Sequence, residues 1–213
     1  MRTMIAIPCM DMVHTDFFRS CVGMEPVEGD VQWTTCQSSL IYDSRNKLAD
    51  LAIQDGFDRI LWLDSDMIFD RFLLRRLSEH LDQGREMVTG LYFSRKEPIL
   101  PVIYRSMTTE IHADGQVPVV RHYTDYERDS LFPVAGCGFG AVMMTVDLLR
   151  EVREQYPLPF FPDRGFGEDL IFCLRARAVG KTIWCDSSIK LGHVGFKVYD
   201  ESLWRESQGI TDD

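Results

Sequence analysis

The sequence predicts an α/β fold with a mostly parallel central sheet, flanking helices and a small antiparallel flap. Three observations carry that expectation. A short unbroken apolar run, Ile60-Leu61-Trp62-Leu63, suits a strand buried on both faces of a parallel sheet. Longer segments of helical periodicity alternate with such runs and close on glycines, at Gly56, Gly84 and Gly180. Two β-prone runs meet at Asp114-Gly115, a strong turn signal for a hairpin.

A length of 213 residues fits one domain spanning 1–213, since a domain takes roughly 100–200 residues. Hydrophobic content of 45% and charged content of 26% are ordinary for a globular chain. No segment reaches the ~18 apolar residues of a membrane span. The apolar opening is cut at Pro8, so it reads as a first strand and not as a signal peptide. A net charge of -10 without any Lys/Arg-rich run argues against a nucleic-acid partner, whose phosphates need neutralising. A small anionic ligand carried by a metal fits that balance. The six cysteines form no CxxC pair, which favours reduced thiols and a cytoplasmic location.

Along the chain, Thr3 to Ile7 gives the first strand, and Pro8 ends it near a rim where a nucleotide base would lie, with Asp11 close by. Phe17, Phe18, Cys21 and Val22 hint at a helix that Gly23 and Pro26 break. Val31 to Thr35 is a second strand. Ser38 to Asp55 is a helix with Leu48, Leu51 and Ala52 on one stripe, and Arg45 and Asn46 fall off that stripe. Arg45 is either an exposed residue of a solvated face or a guanidinium aimed at a diphosphate, for which its planar fork is well matched. The run Ile60 to Leu63 follows, and Asp64-Ser65-Asp66 sits where it ends. In open α/β sheets ligands bind beyond the carboxyl ends of the strands, so this carboxylate pair faces the crevice and can hold a hard divalent cation.

A helix from Asp70, the expected N-cap, runs through Leu73, Leu77 and Leu81 to Gly84. Met87 to Leu91 is a strand, and Tyr92-Phe93-Ser94-Arg95-Lys96 after it is either a substrate loop or a surface turn. The hairpin comes next, then a charged stretch from Arg121 to Ser130 that reads as a mobile loop. Phe132 to Thr145 returns to the core, and Gly136, Gly138 and Gly140 allow either close backbone approach to a ligand or a kinked strand. Val146 to Gln155 is a helix, and a Pro-rich turn closes it. Gly167-Glu168-Asp169 opens a further helix that ends at Gly180, its acids also suiting the helix dipole. Thr182 to Cys185 is the last core strand. His193 follows between Gly192 and Gly195, as a packed histidine or as a third metal ligand.

Five segments in this order span most of the chain: Ser44-Arg45-Asn46, Leu63-Asp64-Ser65-Asp66, Gly136-Cys137-Gly138-Phe139-Gly140, Gly167-Glu168-Asp169 with Phe172 and Arg175-Ala176, and Gly192-His193. Together they resemble a glycosyltransferase of the GT-A (Rossmann-like) fold, nearest to family 2 and to short glycosyltransferases of phages and bacteria. The resemblance implies a nucleotide-diphosphate-sugar donor, a UDP- or GDP-sugar, held through Mn²⁺ or Mg²⁺ by Asp64, Asp66 and His193. It implies Asp169 as the base, with Glu168 beside it to orient the acceptor or cap the helix. Pro8, Asp11, Arg45, Asn46, Asp64 and Ser65 become donor contacts, and Gly138, Phe139 and Gly140 the wall near the donor and acceptor sugars. One imidazole among carboxylates tilts the metal toward Mn²⁺. The acceptor and the oligomeric state are left open.

Two other readings share these features. A nucleotidyltransferase would use an acidic metal-binding pair on a similar sheet, but it wants a Gly-rich basic loop after the first strand, and Pro8-Cys9-Met10-Asp11 is not one. A non-catalytic nucleotide-sugar-binding module would keep the fold without turnover.

Overall fold

The structure, a computed structural model, describes residues 1–112, 115–195 and 197–210. The chain opens with β1 (Arg2–Cys9), α1 (Thr15–Gly23), β2 (Asp30–Gln37), α2 (Ile41–Gln54), β3 (Arg59–Leu63) and the two-residue β4 (Met67–Ile68). It continues through α3 (Leu73–Asp82), β5 (Met87–Leu91), β6 (Ile103–His112), β7 (Gly115–His122), β8 (Leu131–Val134), β9 (Gly136–Cys137), β10 (Ala141–Thr145) and α4 (Val146–Gln155). The last elements are α5 (Glu168–Ala178), β11 (Ile183–Lys190), β12 (Gly192–Val194), β13 (Val198–Tyr199) and α6 (Glu201–Ser207).

Seven strands form the central sheet in the order β2-β1-β3-β10-β5-β11-β8. Its parallel members are β2, β1, β3, β5 and β11, while β10 and β8 run against them. Side chains alternate between the two faces along each strand, and both faces are covered. Met4, Ala6, Ile60 and Trp62 join Leu48, Ala52, Leu149 and Phe172 on the face under α2, α4 and α5. Ile5, Ile7, Leu61 and Leu63 join Phe17, Leu73, Leu74 and Leu77 under α1 and α3. That two-sided cover is why β3 is apolar at consecutive positions. Each large aliphatic side chain so buried contributes roughly 1.5–3 kcal/mol.

Several expectations change. The segment 132–145 is not one strand: β9 leaves to pair with β6 in the flap, and β10 inserts antiparallel between β3 and β5. Asp70 does not cap α3. Its Oδ1 accepts from the Phe72 amide at 2.7 Å, closing a turn one residue ahead of the helix, which starts at Leu73. On α1 only Phe17 is buried, and Phe18 and Val22 face solvent. Within 121–130, Arg121 and His122 complete β7, and Tyr126 is buried, its hydroxyl donating to Glu201 at 3.2 Å. The hairpin strands β6 and β7 pair antiparallel as expected, and Asp114 of the turn lies outside the described residues.

Two small sheets complete the fold, β7-β6-β9 as the flap and β13-β12-β4 at the sheet's rim. The second one positions the site. Antiparallel pairing of β12 with β4 sets His193 opposite Met67, one residue from Asp66.

Candidate active site

Asp64 and Asp66 lie past the C-terminal end of β3, where the backbone leaves the sheet. The Asp64 amide donates to the Gly140 carbonyl at 3.0 Å, and the Asp64 carbonyl accepts from Met67 at 3.2 Å, so the turn between them is fixed at both ends. The Asp66 carbonyl accepts from the Val194 amide at 2.8 Å, which ties the same turn to β12. The acidic turn is thus held in place by backbone bonds to Gly140, just ahead of β10, and to β12, and His193 of β12 is brought beside Asp66.

His193 is oriented by its first nitrogen. Nδ1 lies 2.9 Å from the Phe93 carbonyl and must donate to it, which turns Nε2 toward Asp66 Oδ2 at 3.5 Å. The ring also meets Tyr92 edge-on at 5.4 Å. Arg95 approaches the same carboxylate oxygen, Nη1 to Oδ2, at 2.8 Å. Burial works to raise the Asp66 pKa, but His193 and Arg95 outweigh it and hold the carboxyl below its usual range.

Asp64 faces Arg45. The guanidinium donates from Nη2 to Asp64 Oδ1 at 2.8 Å, and its Nε lies 3.7 Å from Glu168 Oε1. Arg45 is only 1% exposed and packs against the rings of Trp62 and Phe139, at 5.7 and 5.1 Å from their centroids. The exposed-residue reading of this position therefore fails. Ser44, Arg45 and Asn46 lie off the apolar stripe of α2 but are all buried, Arg45 against Glu168 of α5 and Asn46 against the Pro-rich turn. The Asp64 side chain keeps 28% of its surface open, yet the atoms packed around it desolvate it enough to raise its pKa against the pull of Arg45.

Asp169 lies in the first turn of α5, with Gly167 as the helix cap, near enough to Asp64 for the two charges to interact. Burial and the neighbouring Glu168 carboxylate push its pKa up to about 6, while the Leu170 amide, 2.7 Å from Oδ1, and Arg45 pull it down. A carboxylate poised there is half-suited to hold a proton and half to take one.

The remaining candidates separate into two groups. Pro8 and Ser65 line one cavity of about 240 Å³ with Cys9, Met10, Ser38, Ser39, Ile41 and Ser44, at the ends of β1 and β2. Asp11 is exposed and outside that lining. Asn46 is turned away from the crevice: its Oδ1 accepts from the Phe160 amide at 3.1 Å and pins the Pro-rich turn to α2. Gly138, Phe139 and Gly140 are buried. The two glycines make room for Tyr92, whose hydroxyl accepts from the Gly140 amide at 3.3 Å, and a Cβ at Gly140 would lie 2.9 Å from its ring carbon. The close approach they allow is thus to a tyrosine behind the acids. Tyr92 and Arg95 were not singled out as site residues by the sequence. The signal that pointed to them was their place immediately past the end of a central strand.

The donor chemistry of Asp64, Asp66 and His193 suits a hard or borderline divalent cation, with carboxylate oxygens and one imidazole whose other nitrogen is already bonded. As the side chains stand, no set of three His, Cys, Asp or Glu residues closes on one point among the described residues, because arginines hold both aspartates.

No family model and no curated protein matches the sequence. Solved structures do. The crystal structure of A197 from STIV superposes with a TM-score of 0.64 at 19% identity, over 92% of this chain and 86% of that one. GalNAc-T7 with UDP, GalNAc and Mn²⁺ superposes with a TM-score of 0.62 at 10% identity, over 91% of this chain but only 44% of that one. Likeness at such identities is likeness of fold, and the fold that this chain has is that of the GT-A glycosyltransferases.

Proposed function

We propose that this protein transfers a sugar from a nucleotide-diphosphate-sugar donor to an acceptor hydroxyl, with a divalent cation, Mn²⁺ or Mg²⁺, at the acidic pair. The observation that carries the reading is the placement of Asp64 and Asp66 on one turn at the end of β3, with His193 at 3.5 Å from Asp66 and Asp169 near enough to Asp64 for their charges to interact, on a GT-A fold. Asp64, Asp66 and His193 would hold the cation, which when bound supplies Lewis-acid stabilisation of the leaving diphosphate. The cavity lined by Pro8 and Ser65 is the place for the base. Asp169 takes the proton from the acceptor hydroxyl as its oxygen bonds to the anomeric carbon. The bond from that carbon to the phosphate oxygen breaks, and its electron pair leaves with the diphosphate. Glu168 orients the acceptor, and the Arg45 guanidinium lies against both Asp64 and Glu168.

A thermal-shift screen of UDP-, GDP-, CDP- and dTDP-sugars with and without Mn²⁺ tests this directly. A ligand at 100 times its dissociation constant stabilises by about 2.7 kcal/mol, so at least one donor is expected to raise the melting temperature in Mn²⁺ only. No shift with any donor, with or without Mn²⁺, rejects the reading. Asp66→Ala is expected to abolish the metal-dependent shift while changing the stability of the unliganded protein by no more than about 0.5–1 kcal/mol, because a rim carboxylate paired with the half-exposed Arg95 holds little of the core. His193→Ala is expected to weaken Mn²⁺-dependent binding far more than it lowers the melting temperature, and a variant that merely unfolds would make His193 a packing residue.

A further inference from the structure

We propose that Arg95 is a positioning residue that competes with the cation for Asp66 and exchanges that carboxylate for the donor's diphosphate, so that metal and nucleotide each tighten the other. The assignment rests on the donor reading above. It starts from a convergence: the Arg95 guanidinium and the His193 imidazole both address Oδ2 of Asp66, at 2.8 and 3.5 Å. A cation drawn to that oxygen meets a resident positive charge there, and two cations at one carboxylate oxygen repel.

The seat of Arg95 is built. Nη1 also donates to the Val194 carbonyl at 2.8 Å, so one nitrogen bridges β12 and the acidic turn. The side-chain stem crosses Gly195, where a Cβ would come within 3.1 Å of Arg95 Cδ. The two arginines on the acidic pair differ in what they are able to do. Arg45 is 1% exposed, packed against two aromatic rings, and cannot leave Asp64 without exposing its carboxylate neighbours to one another. Arg95 keeps 44% of its side chain in solvent, extends from the 92–96 segment past the end of β5, and can swing without disturbing the core. A diphosphate offers its fork two oxygens in the geometry that a guanidinium binds best, a better partner than one shared carboxylate oxygen. Release of Asp66 to the metal and capture of the phosphate by Arg95 are then one exchange. By linkage, whatever nucleotide does to metal affinity, metal does to nucleotide affinity.

The test is Mn²⁺ binding, read from the paramagnetic resonance signal of the free ion, for the wild type, Arg95→Met and Arg95→Gln, alone and with UDP or GDP. Loss of a half-exposed ion pair corresponds to about fivefold in affinity, so both variants are expected to bind Mn²⁺ alone about fivefold tighter than the wild type. The factor by which the nucleotide enhances Mn²⁺ binding is expected to fall by at least as much. A purely structural role for Arg95 would weaken metal binding or leave it unchanged, and either result in a variant with a wild-type melting temperature overturns the proposal. Wild-type binding of Mn²⁺ with nucleotide, joined to unchanged Mn²⁺ affinity in both variants, overturns the exchange alone and leaves the donor reading standing. No Mn²⁺ binding by any of the three proteins, with or without nucleotide, overturns both.

Discussion

Asp169→Asn is expected to lower turnover by about 10²–10⁴-fold while sparing donor and metal affinity, because the amide keeps the shape of the carboxylate but cannot accept the acceptor's proton. The same change is expected to make the protein more stable. In the folded chain Asp169 holds its proton up to about pH 6, against an ordinary value of 3.8. Its contribution to stability is therefore complete below about pH 4 and is lost as pH rises through 6, where the folded protein must carry an ionised carboxylate that its surroundings disfavour. Asparagine cannot ionise, so the variant escapes that cost. With a discount for partial solvent access, the gain at pH 8 is on the order of 1–2 kcal/mol. Denaturant unfolding at pH 4 and pH 8 measures the first arm, and nucleotide release with the acceptor present measures the second. The wild-type kcat/KM profile is expected to rise near pH 6, and that limb is expected to vanish in the variant. Near-normal turnover in Asp169→Asn would remove the base assignment, and a stability that falls at pH 8 would show that the carboxylate is stabilised by its surroundings after all.

A loss of activity coupled to a gain of stability separates a working acid from a helix cap. An acidic side chain that serves only the dipole of α5 would weaken the helix when neutralised, by roughly 0.3–1 kcal/mol. The sign of the stability change at pH 8 therefore decides between the two roles, independently of any assay for transfer.

Elements with a complete local signal were legible at residue precision. Met87–Leu91 and Val146–Gln155 begin and end where apolar runs and caps place them, and Thr145 caps α4 through a hydroxyl that accepts from Leu148 at 3.2 Å. The direction of a strand carries no such signal. Nothing local in Ala141 to Thr145 states that β10 runs against its neighbours, because that is decided by the β6–β9 pairing which first takes the chain into the flap. The acidic turn was legible because an apolar strand that stops at Asp64 leaves the carboxylates at the rim. Arg45 was legible as a residue of interest, but its partner was not. Helical periodicity marks where apolar side chains gather, and it is silent about a charged residue that is buried because another element supplies carboxylates to receive it. Arg95 was harder still, since its contact with Asp66 joins segments 29 positions apart through a β12–β4 pairing of two residues.

Arg45→Met is expected to be the most destabilising single change in the site, by about 3–5 kcal/mol, since methionine keeps the packing against Trp62 and Phe139 but withdraws the buried guanidinium from the carboxylates of Asp64 and Glu168. For a chain of this size 1 kcal/mol moves the melting temperature by roughly 2–4 °C, so a fall on the order of 10 °C is expected at neutral pH. The charge origin has its own signature. Arg45 lowers the pKa of both Asp64 and Asp169, so its removal lets both rise further. Protons then relieve the repulsion, and the gap between variant and wild type is expected to narrow as pH falls from 8 to 4. Neutralising the partners does the same by mutation: adding Asp64→Asn and Glu168→Gln to Arg45→Met is expected to recover most of the lost stability, because replacing a whole buried ion cluster by neutral groups costs far less than breaking it. A deficit that is equal at pH 4 and pH 8, and that the triple variant does not recover, would assign it to lost packing against the two rings, and Arg45 would then be a filler of the core instead of the counter-ion on which the acidic site is assembled.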